Sequence, residues 1–227
     1  MRRRNFTYTK VTRISEAVYQ EAEARSANQP VFAYSHREDE ANGVGCLGEI
    51  IAEYWMRENH IPFKPDLGET THDYVIGNNL KVDVKTKDRT VRPRIDYDNS
   101  APFYNHSHQK PDYFFFISLE RQKGDDKKDI RRFHTAHIVG AISYDELDEV
   151  GVLFLENDVD WRNKTKFWTD CLNVEMWQLI PLKETIEIFK GERSQPSSNA
   201  EINTPIILEL QGKIAAGKFK PRKLPTC

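Results

Sequence analysis

The segment His72–Lys87, which reads HDYVIGNNLKVDVKTK, constrains the fold more than any other stretch of the chain. It predicts a β-hairpin, because its centre, Gly77–Asn79, consists of residue types that accept a positive φ in a turn. A hairpin centred on Asn78 places Asp73 directly opposite Asp83. Residues paired in this way share one face of the sheet, with Cβ atoms about 4.5–5.5 Å apart.

Side chains along a strand alternate between the two faces of the sheet. One face of the return strand therefore carries Lys81, Asp83 and Lys85, and the other carries Leu80, Val82 and Val84. Two aspartates that face each other repel, which destabilises a sheet. A divalent cation, Lys85 or exposure to water would offset this cost. The alternative without a functional site is a solvated polar face on an edge hairpin.

A third carboxylate comes from a helix predicted over about residues 41–59. Glu49 lies in its most apolar part, GVGCLGEIIA, among small residues that let another backbone approach closely: Gly45, Gly48 and Ala52. A glutamate there is either a carboxylate on the outer surface of the helix or one directed at a site on the neighbouring sheet. We expect the second arrangement.

The order of the predicted elements favours an α/β fold with a central mixed β-sheet flanked by helices. Two buried strands are predicted at 112–119 and 135–142, with helices before and after them. We divide the chain into an N-terminal arm and helix (1–39), a core (40–192), and a linker with a C-terminal helix and basic tail (193–227).

The net charge of −2 and the pI of about 6.4 do not indicate a general nucleic-acid binder, which is usually basic. Positive charge is instead concentrated just after the hairpin. The basic residues of the stretch 81–94 are placed to follow a phosphate backbone, unless they belong to a solvated loop: Lys81, Lys85, Lys87, Arg89, Arg92 and Arg94. Among them, Lys87, Arg89, Arg92 and Arg94 are predicted to contact DNA. The polar stretch 88–111 is longer than the usual connection of about 4–6 residues, and we expect it to form a loop over the site.

The three cysteines are far apart and have no CxxC spacing, which argues against a disulfide framework or a structural zinc site: Cys46, Cys171 and Cys227. Cysteines without a disulfide pattern are typical of proteins in a reducing cytoplasm. No apolar run approaches the ~20 residues that span a bilayer, so no membrane partner is expected. The basic N-terminus lacks the apolar stretch of a signal peptide.

The arrangement of Glu49 on a helix, Asp73 at the start of a strand and Asp83-Val84-Lys85 in its partner resembles the PD-(D/E)XK nuclease superfamily. This superfamily includes restriction endonucleases, Holliday-junction resolvases and phage-type exonucleases. The resemblance covers about residues 40–190 and implies a restriction-endonuclease-like core.

The resemblance also implies roles for individual residues. Asp73 and Asp83 would be the first and second acidic metal ligands, the Val84 carbonyl a further ligand, Lys85 the motif lysine and Glu49 the helix glutamate. The implied cofactor is Mg²⁺, for which Mn²⁺ substitutes, and the implied partner is DNA, bound by a monomer or a homodimer. We predict a metal-dependent DNA endonuclease. The alternatives are an exonuclease or junction resolvase with the same core, and a nucleic-acid-binding protein that does not cleave.

The chain departs from the family pattern at one position. His72 precedes Asp73, whereas a literal Pro-Asp pair occurs earlier, at Pro65 and Asp66. The hairpin geometry favours Asp73 as the first ligand, because Asp66 would have to reach the site from a loop. Asp66 remains the alternative, and the Asp83–Lys85 half of the site is the same in both cases.

Overall fold

The computed structural model describes residues 3–28, 39–66, 71–103, 110–125 and 128–226. Its centre is a mixed sheet of six strands in the order β1-β7-β6-β4-β3-β2. The strands are β1 (Thr9–Thr12), β2 (Phe63–Pro65), β3 (Tyr74–Ile76), β4 (Leu80–Arg89), β6 (Tyr113–Arg121) and β7 (Phe133–Ser143). Among the described strands of this sheet, only β4 and β6 pair in parallel, and the other pairs are antiparallel.

The hairpin formed by β3 and β4 has the predicted register. Tyr74 pairs with Val82 and Ile76 with Leu80, so the turn is centred on Asn78. Asn79 adopts a φ of 64°, as the turn residues require. Gly77 has a φ of +38°, and a Cβ there would lie 2.4 Å from the carbonyl oxygen of Phe189, so this position requires glycine on two grounds.

Three helices pack on one face of the large sheet: α1 (Glu16–Asn28), α2 (Asp39–Glu58) and α4 (Leu182–Phe189). The helix predicted over 41–59 is therefore present as α2. A Cβ on Gly48 would lie 1.9 Å from Thr86 Oγ1 of β4, which confirms that this glycine permits close packing of α2 against the sheet. The α/β class, with a mixed sheet flanked by helices, is as predicted.

A second, antiparallel sheet of three strands lies on the other face, in the order β5-β9-β8. Its strands are β5 (Asp98–Pro102), β8 (Val152–Phe154) and β9 (Cys171–Glu175), accompanied by α3 (Tyr144–Val150) and α5 (Thr204–Ala215). The prediction of one long loop over 88–111 is thus wrong, because this stretch contains the end of β4 and all of β5. The part of that loop at 104–109 lies outside the described residues.

The strands predicted at 112–119 and 135–142 are present as β6 and β7. The predicted N-terminal arm contributes to the same sheet, because β1 pairs with β7 along its edge. Among the described residues, no helix combines the length and apolar character needed to cross a membrane.

Candidate functional site

The side chain of Asp73 continues the hydrogen bonding of the sheet at the point where β3 begins. The backbone N–H of Asp73 donates to the Val82 carbonyl at 3.0 Å, and the N–H of Val84 donates to Asp73 Oδ2 at 2.7 Å. The N–H and carbonyl of one strand residue point to the same side. The Val84 carbonyl therefore points to the side of β4 on which Asp73 lies, and the register places Asp83 opposite Asp73.

Lys85 lies against Asp83, two residues away on the same face of β4. Its Nζ is 2.5 Å from Asp83 Oδ2, and the two side chains are 20% and 7% exposed. Asp83 Oδ2 is buried and has no hydrogen bond of suitable geometry, so its contact with Lys85 is one of opposite charges. A cation, Lys85 or exposure to water was expected to offset the repulsion between Asp73 and Asp83. In the structure, Lys85 does so.

Glu49 of α2 completes a cluster of three acids with Asp73 and Asp83, which we call the carboxylate cluster. Burial raises the pKa of Asp73 well above its usual value, and the charges of Asp83 and Glu49 raise it further, while Lys85 opposes them. Burial also raises the pKa of Glu49, against the effect of Arg25. The predicted site residues Glu49, Asp73, Asp83 and Lys85 therefore lie within one electrostatic group.

Arg25 of α1 is a site residue that the sequence analysis missed. Its Nη1 lies 3.5 Å from Glu49 Oε2 and 3.2 Å from the Tyr74 hydroxyl, and its Nη2 lies 2.6 Å from Glu53 Oε1. Glu53, which is 2% exposed, also pairs with Arg57 at 2.7 Å. No motif marks Arg25, because its role depends on how α1 packs against α2.

Asp66, the alternative first ligand, lies beside Asp73 on the β2 side. Its backbone N–H donates to the Asp73 carbonyl at 2.9 Å, which extends the pairing of β2 with β3. Its carboxylate is 36% exposed and lies 3.7 Å from Nε2 of the buried His72. This geometry favours Asp73 as the residue that faces Asp83.

Two of the basic residues predicted to contact phosphate are instead bound to the second sheet. Lys87 Nζ lies 3.3 Å from both the Asp98 carbonyl and Ser100 Oγ. Arg89 donates to the same carbonyl and, at 3.0 Å, to Ser118 Oγ. Burial lowers the pKa of Lys87 to about 8. Both side chains thus tie β4 to β5.

The other two predicted phosphate contacts, Arg92 and Arg94, are exposed in the loop between β4 and β5. Arg94 Nε lies 3.3 Å from Asp96 Oδ1, and its guanidinium lies 5.7 Å from the centre of the Tyr97 ring. These two residues are available to solvent, unlike Lys87 and Arg89. They follow the end of β4, several residues beyond Lys85.

The donor set of the carboxylate cluster fits Mg²⁺, which takes oxygen ligands from one or two carboxylates and fills its other positions with water and phosphate oxygens. Asp73, Asp83 and the Val84 carbonyl supply such oxygens, and Asp83 Oδ2 is buried without a hydrogen bond. No group of three or more His, Cys, Asp or Glu side chains forms a metal-binding arrangement within the described ranges. Binding would also require Lys85 to move away from Asp83.

The raised pKa of Asp73 predicts how stability depends on pH. The folded protein holds this proton more tightly than the unfolded chain, whose aspartate pKa is about 3.9. The contribution of Asp73 to the free energy of unfolding is therefore fully present below about pH 3.9. It is lost as the pH rises through the higher pKa of the folded state. In EDTA, we expect the melting temperature of the wild type to fall relative to that of Asp73→Asn as the pH rises above the unfolded-state pKa of about 3.9, measured by circular dichroism.

Asp66→Asn is the matched control for this measurement, because the Asp66 carboxylate contacts His72 instead of the cluster. Its pH dependence should follow that of the wild type. Parallel curves for the wild type and Asp73→Asn would show that neither burial nor the neighbouring carboxylates raise the pKa of Asp73 in the folded protein.

Comparison of the chain with protein-family models, with curated proteins and with solved structures found no match.

Proposed function

We propose that this protein is a Mg²⁺-dependent deoxyribonuclease that cleaves within DNA strands and has a restriction-endonuclease-like core. The observation that carries the proposal is the convergence of Glu49, Asp73, Asp83 and Lys85 from a helix and a hairpin of fixed register. Mn²⁺ would substitute for Mg²⁺, because it also prefers oxygen ligands.

The carboxylate cluster favours cleavage over simple binding of DNA. Carboxylates repel a polyanion, so a surface that only binds DNA has no use for three of them beside one lysine. Burial makes the cluster more costly still, as the raised pKa values of Glu49 and Asp73 show. Residues that impose such a cost are characteristic of functional sites, where the charge repulsion is relieved when a ligand binds.

Each residue has a role that follows from its position. Asp73, Asp83 and the Val84 carbonyl would hold the cation against the scissile phosphate. When bound, Mg²⁺ would polarise a phosphoryl oxygen and lower the pKa of a nearby water molecule. Lys85, released from Asp83, would stabilise the negative charge that develops on the phosphoryl group. Glu49, held by Arg25, would accept a hydrogen bond from the attacking water and orient it.

The close packing of α2 on β4 also supports the proposal. Glu49 comes from a helix that packs directly on β4, with Gly48 against Thr86. The hairpin and the helix that carry the site are thus joined by close packing rather than by loops. A site on rigid elements can hold its reacting groups in a defined geometry.

The proposal includes DNA as partner and a cytoplasmic location, which suits the buried thiols of Cys46 and Cys171. A homodimer would place two such sites on the two strands of a duplex related by a two-fold axis. An exonuclease or a junction resolvase would use the same residues, and the choice of substrate separates these activities.

Supercoiled plasmid is the substrate that tests the proposal. The wild-type protein with Mg²⁺ should convert it to nicked or linear DNA, and EDTA should prevent the conversion, as seen on an agarose gel. An exonuclease would degrade only the linear form, because it needs an end. If neither circular nor linear DNA is cleaved with Mg²⁺ or Mn²⁺, the protein is not a nuclease of this kind.

A further inference from the structure

We propose that Lys81 and Lys110 form the surface that binds the DNA backbone beside the carboxylate cluster. This inference rests on the proposed function, in that the ligand is DNA. It adds Lys110, which the sequence analysis did not name, and selects Lys81 from the basic stretch 81–94. Lys81 and Lys110 take the role of phosphate contacts that was predicted for Lys87 and Arg89, whose side chains bind the second sheet instead.

Lys81 is exposed on the same face of β4 as Asp83 and Lys85. At about 3.3 Å per residue, its Cα is about 13 Å from that of Lys85. One DNA strand carries one charge per about 3.4 Å of helix axis, so this distance spans at most about four phosphates of one strand. Lys81 is thus placed to bind the same strand a few nucleotides from the scissile phosphate.

Asp112 fixes the segments that carry these lysines against each other. The N–H of Lys81 donates to Asp112 Oδ2 at 2.7 Å, and the N–H of Asp112 donates to the Lys81 carbonyl at 2.8 Å. The N–H of Tyr144 donates to the Asp112 carbonyl at 3.0 Å. Lys110, two residues before Asp112, is therefore held near the start of β4.

A row of aromatic rings connects Lys110 to the site. Lys110 Nζ lies 5.5 Å from the centre of the Tyr144 ring, and this ring stacks on Phe114 with a centroid distance of 6.4 Å. Lys85 Nζ lies 6.0 Å from the centre of the Phe114 ring. Amines thus lie at both ends of the two stacked rings, of which Phe114 is fully buried, so Lys110 and Lys85 belong to the same part of the fold.

The charges of the two lysines are available to a ligand. Both side chains are exposed, and neither forms an ion pair with a carboxylate of the residues that the structure describes. Their positive charge also lies where it would reduce the repulsion between the carboxylate cluster and the phosphates of the substrate. Lysine amines bind phosphates as point charges, which suits contacts that do not depend on sequence.

The test measures DNA binding without cleavage, by fluorescence anisotropy of a labelled duplex in EDTA at several salt concentrations. Each phosphate contact contributes about 0.9 to the slope of log K against log salt concentration. The double variant Lys81→Ala/Lys110→Ala should therefore lower the slope by about 1.8. The matched control is Lys123→Ala/Lys128→Ala, two exposed lysines beyond the other end of β6, which should bind as the wild type does.

Equal slopes for the double variant and the wild type would overturn the proposal, as would a wild type that does not bind DNA. If the wild type cleaves plasmid but the slopes are equal, only the binding surface is wrong. If the slope falls as expected but no plasmid is cleaved, the surface stands and the nuclease function fails. Circular dichroism spectra of all variants exclude misfolding as the cause of a difference.

Discussion

Replacing Asp73 by asparagine is expected to lower Mg²⁺-dependent DNA cleavage by at least about 10³-fold, as is common for residues that take part in the reaction. Asparagine keeps the shape of the side chain and can still accept the hydrogen bond from the Val84 N–H. It removes the charge that would hold the cation. The loss of activity should therefore occur in a folded protein, measured as the rate of plasmid nicking beside a circular dichroism spectrum.

Asp66→Asn provides the matched control, because it makes the same chemical change at the neighbouring strand position. We expect it to keep cleavage within about twofold of the wild type, as for a change outside the reacting groups. Asp83→Ala and Lys85→Ala should abolish cleavage in either case. If Asp66→Asn is inactive and Asp73→Asn is active, Asp66 is the first ligand and the assignment of Asp73 is wrong.

Arg25→Met is expected to destabilise the protein by about 3 kcal/mol, since removing one partner of a buried ion pair costs about 3–5 kcal/mol. Arg25 is 14% exposed and its partner Glu53 is 2% exposed. The variant therefore leaves the negative charge of a buried carboxylate with one positive partner fewer. The lower end of the range applies because Arg57 still pairs with Glu53. Urea unfolding followed by circular dichroism measures the change.

The double variant Arg25→Met/Glu53→Gln separates the loss of charge compensation from the loss of packing. Removing the Glu53 charge should restore part of the stability that Arg25→Met loses, because the buried Glu53 carboxylate is then no longer left without Arg25, whereas Glu49 still is. An Arg25→Met variant as stable as the wild type, or a double variant with no recovery, would contradict this account. The single variant should also cleave DNA more slowly, because Glu49 loses its contact with Arg25.

The hairpin at the centre of the site was predictable because its determinants are local. The turn residues Gly77–Asn79 and the alternation of side chains define the register without reference to the rest of the chain. The structure confirms that register. The position of Glu49 was predictable in part, because small residues such as Gly48 marked the side of the helix that packs closely on another element.

The roles of Lys87 and Arg89 were not predictable from the segment that contains them. Strand β5, DNSAP, has no apolar alternation, and it forms a strand because β9 pairs with it. Without β5, the end of β4 is indistinguishable from an exposed basic strand. The second sheet covers that face, and the two basic side chains become ties between β4 and β5.

The common face of Asp73, Asp83 and Lys85 follows from local sequence alone, because the period of a strand and the conformation of a turn depend on neighbouring residues. Three other features result from tertiary packing: Arg25 contacts Glu49, Lys87 and Arg89 bind the second sheet, and Lys81 and Lys110 remain exposed. Each of these depends on contacts between segments far apart in the chain. Such contacts decide which charges are buried with a partner and which remain available to a ligand.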